Sequence, residues 1–202
     1  MRHLLALIAV LLAGCAETKS FEKSPEQMIA TLSTRAPTAN SISRLSFKII
    51  SSIPFRSANW SSADWEILDE NAQVFEFEGF KGYVLAYELP AVGRDRTFGF
   101  ASLPTTSHIK TRGVFNPVFR AFDAEFRELA IFRDFPMNPQ RGIFEGQFHL
   151  PLQAKYLIIH TTRENLQKSG AYIYRSNEGG MWFTSTVANP ILPEGAFRIS
   201  LE

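Results

Sequence analysis

The sequence predicts a mainly β protein, an antiparallel β-sandwich or jelly-roll-like domain with one or two short helices. Apolar and polar residues alternate over many short stretches, which is typical of strands with one buried face and one wet face. Turn-forming Gly, Asn and Pro residues separate these stretches, and no long helical pattern interrupts them. The chain also contains 18 phenylalanines, which suit a core built from aromatic-rich strands.

The composition is that of a globular protein whose charges balance. Of 202 residues, 45% are hydrophobic and 20% are charged, which excludes a disordered chain. There are 21 basic and 20 acidic residues, and a cleaved leader that contains Arg2 would make the two equal. Bulk charge therefore gives no reason to expect a nucleic-acid partner. Cys15 is the only cysteine, so an internal disulfide is excluded.

Residues 1–14 have the anatomy of a secretory signal peptide. Arg2 precedes an apolar run over Leu4–Leu12, which is shorter than the roughly 20 residues of a membrane-spanning helix. The following Ala13-Gly14-Cys15 resembles the end of a bacterial lipobox, which implies cleavage between Gly14 and Cys15 and acylation of Cys15. Ala16, next in the chain, implies sorting to the outer membrane. The alternative is an ordinary signal peptide with an incidental cysteine.

Residues 15–40 are predicted to be a tether that carries one short helix. Ser24 is the expected N-cap, Pro25 the first helical residue and Gln27 the capping-box partner. An apolar stripe of Met28, Ile29 and Leu32 would follow. The helix is expected to end before the linker at 36–40, because Pro37 restricts the residue before it.

Residues 41–202 are predicted to form the β-sandwich from about ten short strands. Tyr156–His160 is apolar on both faces for most of its length and is expected to be a central strand. Thr162 is expected to cap one helical turn over 163–166, and Asp123 to place a turn with its side chain. The segment Ser62–Leu68 is either a short helix or a loop. The predicted strands are Leu45–Ile49, Phe75–Phe77, Tyr83–Leu89, Thr97–Leu103, Val114–Phe122, Gly146–Leu150, Tyr156–Thr161, Ala171–Tyr174, Met181–Val187 and Ala196–Leu201.

Several ordered segments of this domain resemble the maltose-operon periplasmic protein (MalM) family. They are Gly79–Gly82, Val84–Pro90, Val114–Pro117, Arg141–Gly146, Tyr156–Thr162 and Gly195–Ile199, with Phe122-Asp123 between the third and the fourth. The resemblance covers roughly Ser41 to the C-terminus. It implies a periplasmic protein linked to maltodextrin-type carbohydrate transport, with no assigned chemistry. The best-known members carry a long linker and a helical tail after this domain, and the present sequence matches a form without them.

The sequence contains no recognisable catalytic or metal-binding motif. It lacks the nucleophile elbow, the paired-histidine zinc motif, the phosphate loop and the dinucleotide fingerprint. His108, His149 and His160 have no second ligand at metal spacing. His149 and His160 lie in predicted strands, and a position as neighbours across a sheet is the open alternative to two separate structural histidines. The acidic cluster of Asp64, Glu66, Asp69 and Glu70 is crowded into one local segment, which favours a solvated face over a glycosidase pair. We therefore expect no enzymatic activity, no cofactor and no metal.

Three tryptophans are the candidate sugar-stacking residues, namely Trp60, Trp65 and Trp182. The C–H faces of sugars stack on aromatic rings, and Trp60 and Trp65 lie in a Ser-rich, acidic segment whose polar groups suit hydroxyls. Tryptophan is also a common core or interface residue, so a purely structural role is the alternative.

Three functions remain open from the sequence. The first is a lipid-anchored periplasmic accessory protein of carbohydrate transport, which contacts the membrane through acylated Cys15 and a maltooligosaccharide or an envelope transport protein. The second is an envelope lipoprotein that docks on a porin or another envelope protein without binding sugar, for which we expect an exposed apolar patch. The third is a glycan-processing enzyme, which requires a cleft with converging carboxylates.

Overall fold

The computed structural model describes residues 24–50, 65–91, 96–104, 113–178 and 180–201, and over these ranges the protein is mainly β. This confirms the predicted fold class. The two α-helices are α1 (Pro25–Thr34) and α2 (Arg163–Leu166), and a single 3-10 turn covers Ile42–Arg44. The strands are β1 (Phe47–Ile49), β2 (Glu66–Leu68), β3 (Gln73–Phe77), β4 (Phe80–Glu88), β5 (Arg96–Leu103), β6 (Val114–Phe115), β7 (Val118–Phe122), β8 (Glu128–Phe132), β9 (Met137–Asn138), β10 (Ile143–Leu150), β11 (Tyr156–His160), β12 (Ser169–Glu178), β13 (Met181–Leu192) and β14 (Gly195–Leu201).

Two sheets pack face to face and enclose the main core. One is six-stranded, in the order β1-β4-β11-β7-β8 with β3 also paired to β4, and the other is five-stranded, in the order β2-β14-β5-β10-β9. Phe119 on β7 joins them, because its ring centroid lies 5.4 Å from that of Phe98, 4.9 Å from that of Phe100 and 5.0 Å from that of Phe148. Such tilted aromatic pairs fill the space between two sheets of a sandwich.

The outer face of the six-stranded sheet is also buried, which the alternation did not predict. Tyr83, Leu85 and Tyr87 on β4 face the main core as expected, but Val84 and Ala86 between them are buried as well. A second apolar cluster covers them, and it includes residues from the segment before β1 and from β3. The expectation that β4 has a wet face was therefore wrong, because Ala39 and Leu45 from the segment before β1, together with Phe75 on β3, pack on that side.

Helix α1 begins as the sequence predicted and lies against the sheets. Ser24 Oγ accepts a hydrogen bond from the Gln27 amide at 3.3 Å, and Gln27 Oε1 accepts one from the Ser24 amide at 2.8 Å. Met28 and Leu32 are buried, and the helix contacts β4 and β13. Residues 24–34 therefore lie on the body of the domain, which leaves Ala16 to Lys23 between the helix and Cys15.

Because the capping box satisfies two amides that have no partner within the helix, we expect Ser24→Ala to lower the free energy of unfolding by about 1 kcal/mol. Urea unfolding measures this change. Ser33→Ala is the matched control on the same helix, because the Ser33 hydroxyl bonds only a carbonyl one turn back. An unchanged midpoint for Ser24→Ala would show that the capping box contributes nothing to global stability.

A third, three-stranded sheet has the order β12-β13-β6. Its main feature is the long β12–β13 hairpin, in which Ser169 pairs with Pro190 and Glu178 with Met181 at the two ends. The base of the hairpin is fixed, because Ile191 and Leu192 pair with β6 and the Asn189 side chain donates to the Gly142 carbonyl at 3.2 Å. The pairs β13–β6 and β1–β4 are parallel, and the remaining strand pairs of the described residues are antiparallel.

The structure confirms most predicted elements, corrects two and adds two strands. The central position of β11, the helical turn capped by Thr162 and the turn held by Asp123 are confirmed. Of the segment Ser62–Leu68, which was expected to be a short helix or a loop, residues 65–68 are described, and Glu66–Leu68 pairs with β14 as a strand. The predicted strand Val114–Phe122 is divided at Asn116-Pro117 into β6 and β7, which belong to different sheets. Strands β8 and β9 were not predicted.

Candidate functional site

A cavity of about 380 Å³ opens where the β3–β4 turn, β7, the end of β11 and α2 meet. Its walls combine aromatic rings with charged and hydroxyl-bearing side chains. The lining residues are Phe77, Glu78, Gly79, Phe80, Arg120, Arg133, His160, Thr161, Thr162, Arg163, Glu164 and Gln167.

Arg120 is the centre of this site and is only 6% exposed. Its Nε donates to His160 Nε2 at 3.1 Å, one terminal nitrogen donates to Glu128 at 2.7 Å and the other to Glu78 at 2.6 Å. Burial lowers the pKa of Arg120, but hydrogen bonds and charge from the two carboxylates outweigh it and hold the pKa above its ordinary value. Arg120 is therefore a fixed cation whose charge is balanced on both sides.

Glu78 reaches Arg120 because of the shape of the β3–β4 turn. Phe77 pairs with Phe80, which leaves Glu78 and Gly79 as a two-residue loop with φ values of 53° and 75°. Positive φ at both positions is the signature of the hairpin turn whose twist matches the flanking strands. The hydrogen bond from Arg120 holds the pKa of the Glu78 carboxyl below its usual range.

His160 forms the floor of the site as a neutral side chain. Its Nδ1 lies 2.8 Å from the Thr161 carbonyl and donates to it, while Nε2 accepts from Arg120. The ring of Phe77 stacks on the imidazole with centroids 4.4 Å apart. Burial lowers the pKa of His160 to about 4, although the hydrogen bond to the Thr161 carbonyl opposes it, and the nearby Arg120 charge adds a smaller lowering.

The rim of the cavity carries aromatic and cationic groups. The Arg163 guanidinium lies 5.8 Å from the centroid of the half-buried Phe80 ring, and Arg163 itself is exposed. Glu164 forms an ion pair with Lys168 at 2.8 Å. Below the rim, Thr161 Oγ1 is buried and has no hydrogen-bond partner among the described residues. A buried hydroxyl without a partner is costly, so this atom suits a bound water or a ligand hydroxyl.

This site was not predicted from the sequence, although one feature of the sequence indicated it. Arg120 lies within Val118–Phe122, a strand of otherwise apolar residues, and His160 ends the apolar strand β11. In the β7–β11 register Arg120 is opposite Ile158 and His160 is opposite Val118. The two polar residues therefore occupy diagonal positions on one face, where side chains reach each other. A polar residue inside an apolar strand was the available signal, but the pairing of β7 with β11 was needed to use it.

Two of the three candidate tryptophans lie within the described residues. Trp65 precedes β2 at the edge of the five-stranded sheet, Trp182 lies in β13, and neither lines the cavity. Trp60 lies outside the described residues, as do the predicted cleavage and acylation positions Gly14 and Cys15. Stacking of a sugar on Trp60, Trp65 or Trp182 stays a prediction.

The other polar candidates also lie apart from the cavity. His149 is on β10 in the five-stranded sheet and contacts Thr97 at 3.3 Å, so it is not a neighbour of His160 on β11. Glu66 pairs with Lys48 at 2.8 Å, and Asp69 accepts from the Asn71 amide. Asp64 and His108 lie outside the described residues.

No family model, curated protein or solved structure matches this chain. The described residues contain no group of three or more side chains arranged to hold a metal ion. They also contain no helix that is both long and apolar enough to cross a membrane. The fold and the site therefore define a class of protein. It is a mainly β sandwich with an open polar cavity, and the cavity is lined by a buried arginine whose charge is balanced by carboxylates.

Proposed function

We propose that this protein is a lipid-anchored accessory protein of the bacterial periplasm that binds carbohydrate and catalyses no reaction. Acylation of Cys15 would hold it at the outer membrane, and two or more acyl chains give stable attachment. The resemblance of its ordered segments to the MalM family supplies the ligand class, a maltooligosaccharide. The cavity beside Arg120 is the observation that carries the proposal.

The chemistry of the cavity suits a neutral, hydroxyl-rich ligand. Phe80 presents a half-buried aromatic ring at the mouth, against which the C–H face of a sugar can stack. Arg163 and Gln167 offer donors, and Glu164 offers an acceptor. The unpaired Thr161 hydroxyl adds a buried partner deeper in the wall. A few placed polar groups beside apolar surface are typical of small-molecule sites.

The ion pairing in the site favours binding over catalysis. Glu78 and Glu128 are both engaged by Arg120, and Glu164 is paired with Lys168. His160 has both ring nitrogens in hydrogen bonds. A general acid needs a carboxyl whose pKa is raised toward neutrality, whereas the pKa of Glu78 is lowered. Their ion pairs and hydrogen bonds therefore fix these groups in the walls of a binding cavity.

Thermal unfolding of the mature chain carrying Cys15→Ser, against a panel of maltooligosaccharides, tests this function. A sugar present at 100 times its dissociation constant adds about 2.7 kcal/mol of stability, which raises the midpoint by about 5 to 10 °C for a domain of this size. We expect Arg163→Ala and Thr161→Val to reduce that shift, because each removes one polar group from the cavity.

Arg44→Ala is the matched control, because Arg44 is exposed and does not line the cavity. Its ligand-induced shift should equal that of the parent chain. The absence of any shift at millimolar sugar across the whole panel would remove the carbohydrate proposal. A shift that Arg163→Ala and Thr161→Val leave intact would place the sugar elsewhere.

The second candidate function is docking on another envelope protein without sugar binding. It is favoured by Met181, Trp182 and Phe183, which are 64%, 72% and 47% exposed at one end of the β12–β13 hairpin. Photo-crosslinking from position 182 in the intact envelope tests it, and a single protein adduct would support a specific partner.

A further inference from the structure

The far end of the β12–β13 hairpin stands clear of the rest of the described domain. Every residue of β13 from Met181 to Thr186 is exposed, whereas Asn189, Ile191 and Leu192 at the base are buried. The last backbone contact of β12 outside the sheet is the Ile173 amide, which donates to the Pro139 carbonyl at 2.7 Å. Beyond that point the two strands pair only with each other over the described residues.

Three consecutive apolar residues occupy this free end, and they face both sides of the ribbon. Successive side chains of a strand point to opposite faces, so Met181 and Phe183 share one face and Trp182 occupies the other. A protein partner that packs on one face of the ribbon would leave the other apolar face in water. A lipid surface surrounds an inserted tip and accepts apolar groups on both faces.

The length of the apolar end matches the depth of a bilayer interface. Met181 to Phe183 spans about 10 Å at the rise of a β-strand, and interfacial elements insert about 5 to 10 Å. Thr184, Ser185 and Thr186 follow and are exposed and polar, which limits insertion to the tip. Tryptophan is itself enriched at the level of the lipid headgroups.

The charge of the hairpin sets the kind of lipid surface. β12 carries Arg175 and Glu178, which have opposite signs and are the register partners of Thr184 and Met181. β13 carries no charged residue along its length. The hairpin therefore has no net charge that would attract an anionic surface, which favours a zwitterionic one.

The anchored end of the chain begins close to this hairpin. Helix α1, whose N-cap is Ser24, contacts β13. The segment between Cys15 and Ser24 reaches at most about 30 Å when fully extended, and the twelve residues of β13 extend about 40 Å. An acylated Cys15 would therefore hold the domain at a distance from the bilayer that the hairpin can bridge.

We infer that Met181, Trp182 and Phe183 form a membrane-contact tip that enters the headgroup layer of a zwitterionic phospholipid bilayer. The tip is a second attachment point, which fixes the orientation of a domain that a lipid tether alone leaves free to turn. This inference uses only the anchoring part of the proposed function and is independent of sugar binding.

Vesicle binding by the unacylated mature chain carrying Cys15→Ser tests the tip alone. Phosphatidylcholine vesicles are the probe, with sedimentation for binding and tryptophan emission for insertion. We expect the parent chain to co-sediment with a blue-shifted emission. We expect Trp182→Ser/Phe183→Ser to reduce the partition coefficient by about tenfold or more, because burial of each aromatic side chain contributes substantially to the free energy of vesicle binding.

Two further variants make the result specific. Leu152→Ser is the matched control, since Leu152 is 53% exposed on the loop between β10 and β11, and its partitioning should equal that of the parent. Trp182→Phe should retain binding but lose the quenching of emission by brominated lipid. Thermal midpoints should be equal for all variants, because Met181, Trp182 and Phe183 are exposed over the part of the chain that the structure describes.

Three results would overturn the inference. They are a parent chain that stays in the supernatant, a Trp182→Ser/Phe183→Ser variant that binds vesicles as well as the parent, or a protein adduct from position 182 without vesicle binding. The last would assign the tip to the docking function. Because the assay contains neither sugar nor an acyl chain, its failure is separate from failure of the carbohydrate proposal.

Discussion

Replacing Arg120 with methionine is expected to lower the free energy of unfolding by about 3 kcal/mol, although methionine fills much of the same space. The substitution removes three charge-assisted hydrogen bonds at once. It also leaves the Nε2 atom of His160, which is 1% exposed, without its donor. The carboxylates of Glu78 and Glu128 can turn toward water, so the loss stays below that of stranding a buried charge. Equilibrium urea unfolding measures it.

The matched controls distinguish the effect of the buried Arg120 on stability from that of its exposed partner Glu78. The Glu78 side chain is 70% exposed, so Glu78→Gln should cost less than about 1 kcal/mol. Arg120→Lys should restore little of the loss, because one ammonium cannot reach Glu78, Glu128 and His160 with the geometry of a guanidinium. An Arg120→Met chain as stable as the parent would show that the network contributes nothing to folding.

The local elements of this fold were predictable because their signals lie within a few residues of one another. The Ser24–Gln27 capping box, the Thr162 cap and the Asp123 turn each depend on side chains bonding nearby amides, and the structure has all three. The alternation along β4 likewise predicted which residues face the main core. These features follow from chain geometry and need no tertiary context.

The site was not predictable in the same way, because its members come from four separate parts of the chain. Arg120 and His160 are brought together by strand pairing, and Glu78 arrives from the turn of another hairpin. Trp182 shows the same limit in another way. Its residue type made it a candidate for sugar stacking, but only the fold shows that it lies exposed near the end of a hairpin and apart from the cavity. Residue type alone does not specify which side chains a fold places together.

The pH dependence of stability below neutrality is the second large expected effect, and it is assigned to His160. The pKa of this group falls from 6.5 to about 4 on folding, so the unfolded chain binds the proton more readily. The contribution of neutral His160 to the free energy of unfolding is fully present above pH 6.5 and is lost as the pH falls toward 4. The loss amounts to about 3 kcal/mol, since each pKa unit is worth about 1.4 kcal/mol.

The structural cause of this effect lies in the two hydrogen bonds of the ring. A proton on Nε2 would face the Arg120 Nε–H that now donates to it, and Nδ1 already carries the proton given to the Thr161 carbonyl. Urea unfolding at several pH values measures this effect. Between pH 7 and pH 4, the free energy of unfolding of the parent should fall by about 3 kcal/mol more than that of His160→Gln. His149→Gln, on an exposed histidine, should keep the parent's pH profile. If His160→Gln and the parent lose stability in parallel, acid sensitivity belongs to the carboxylates, and the imidazole is not the group that binds the proton on unfolding.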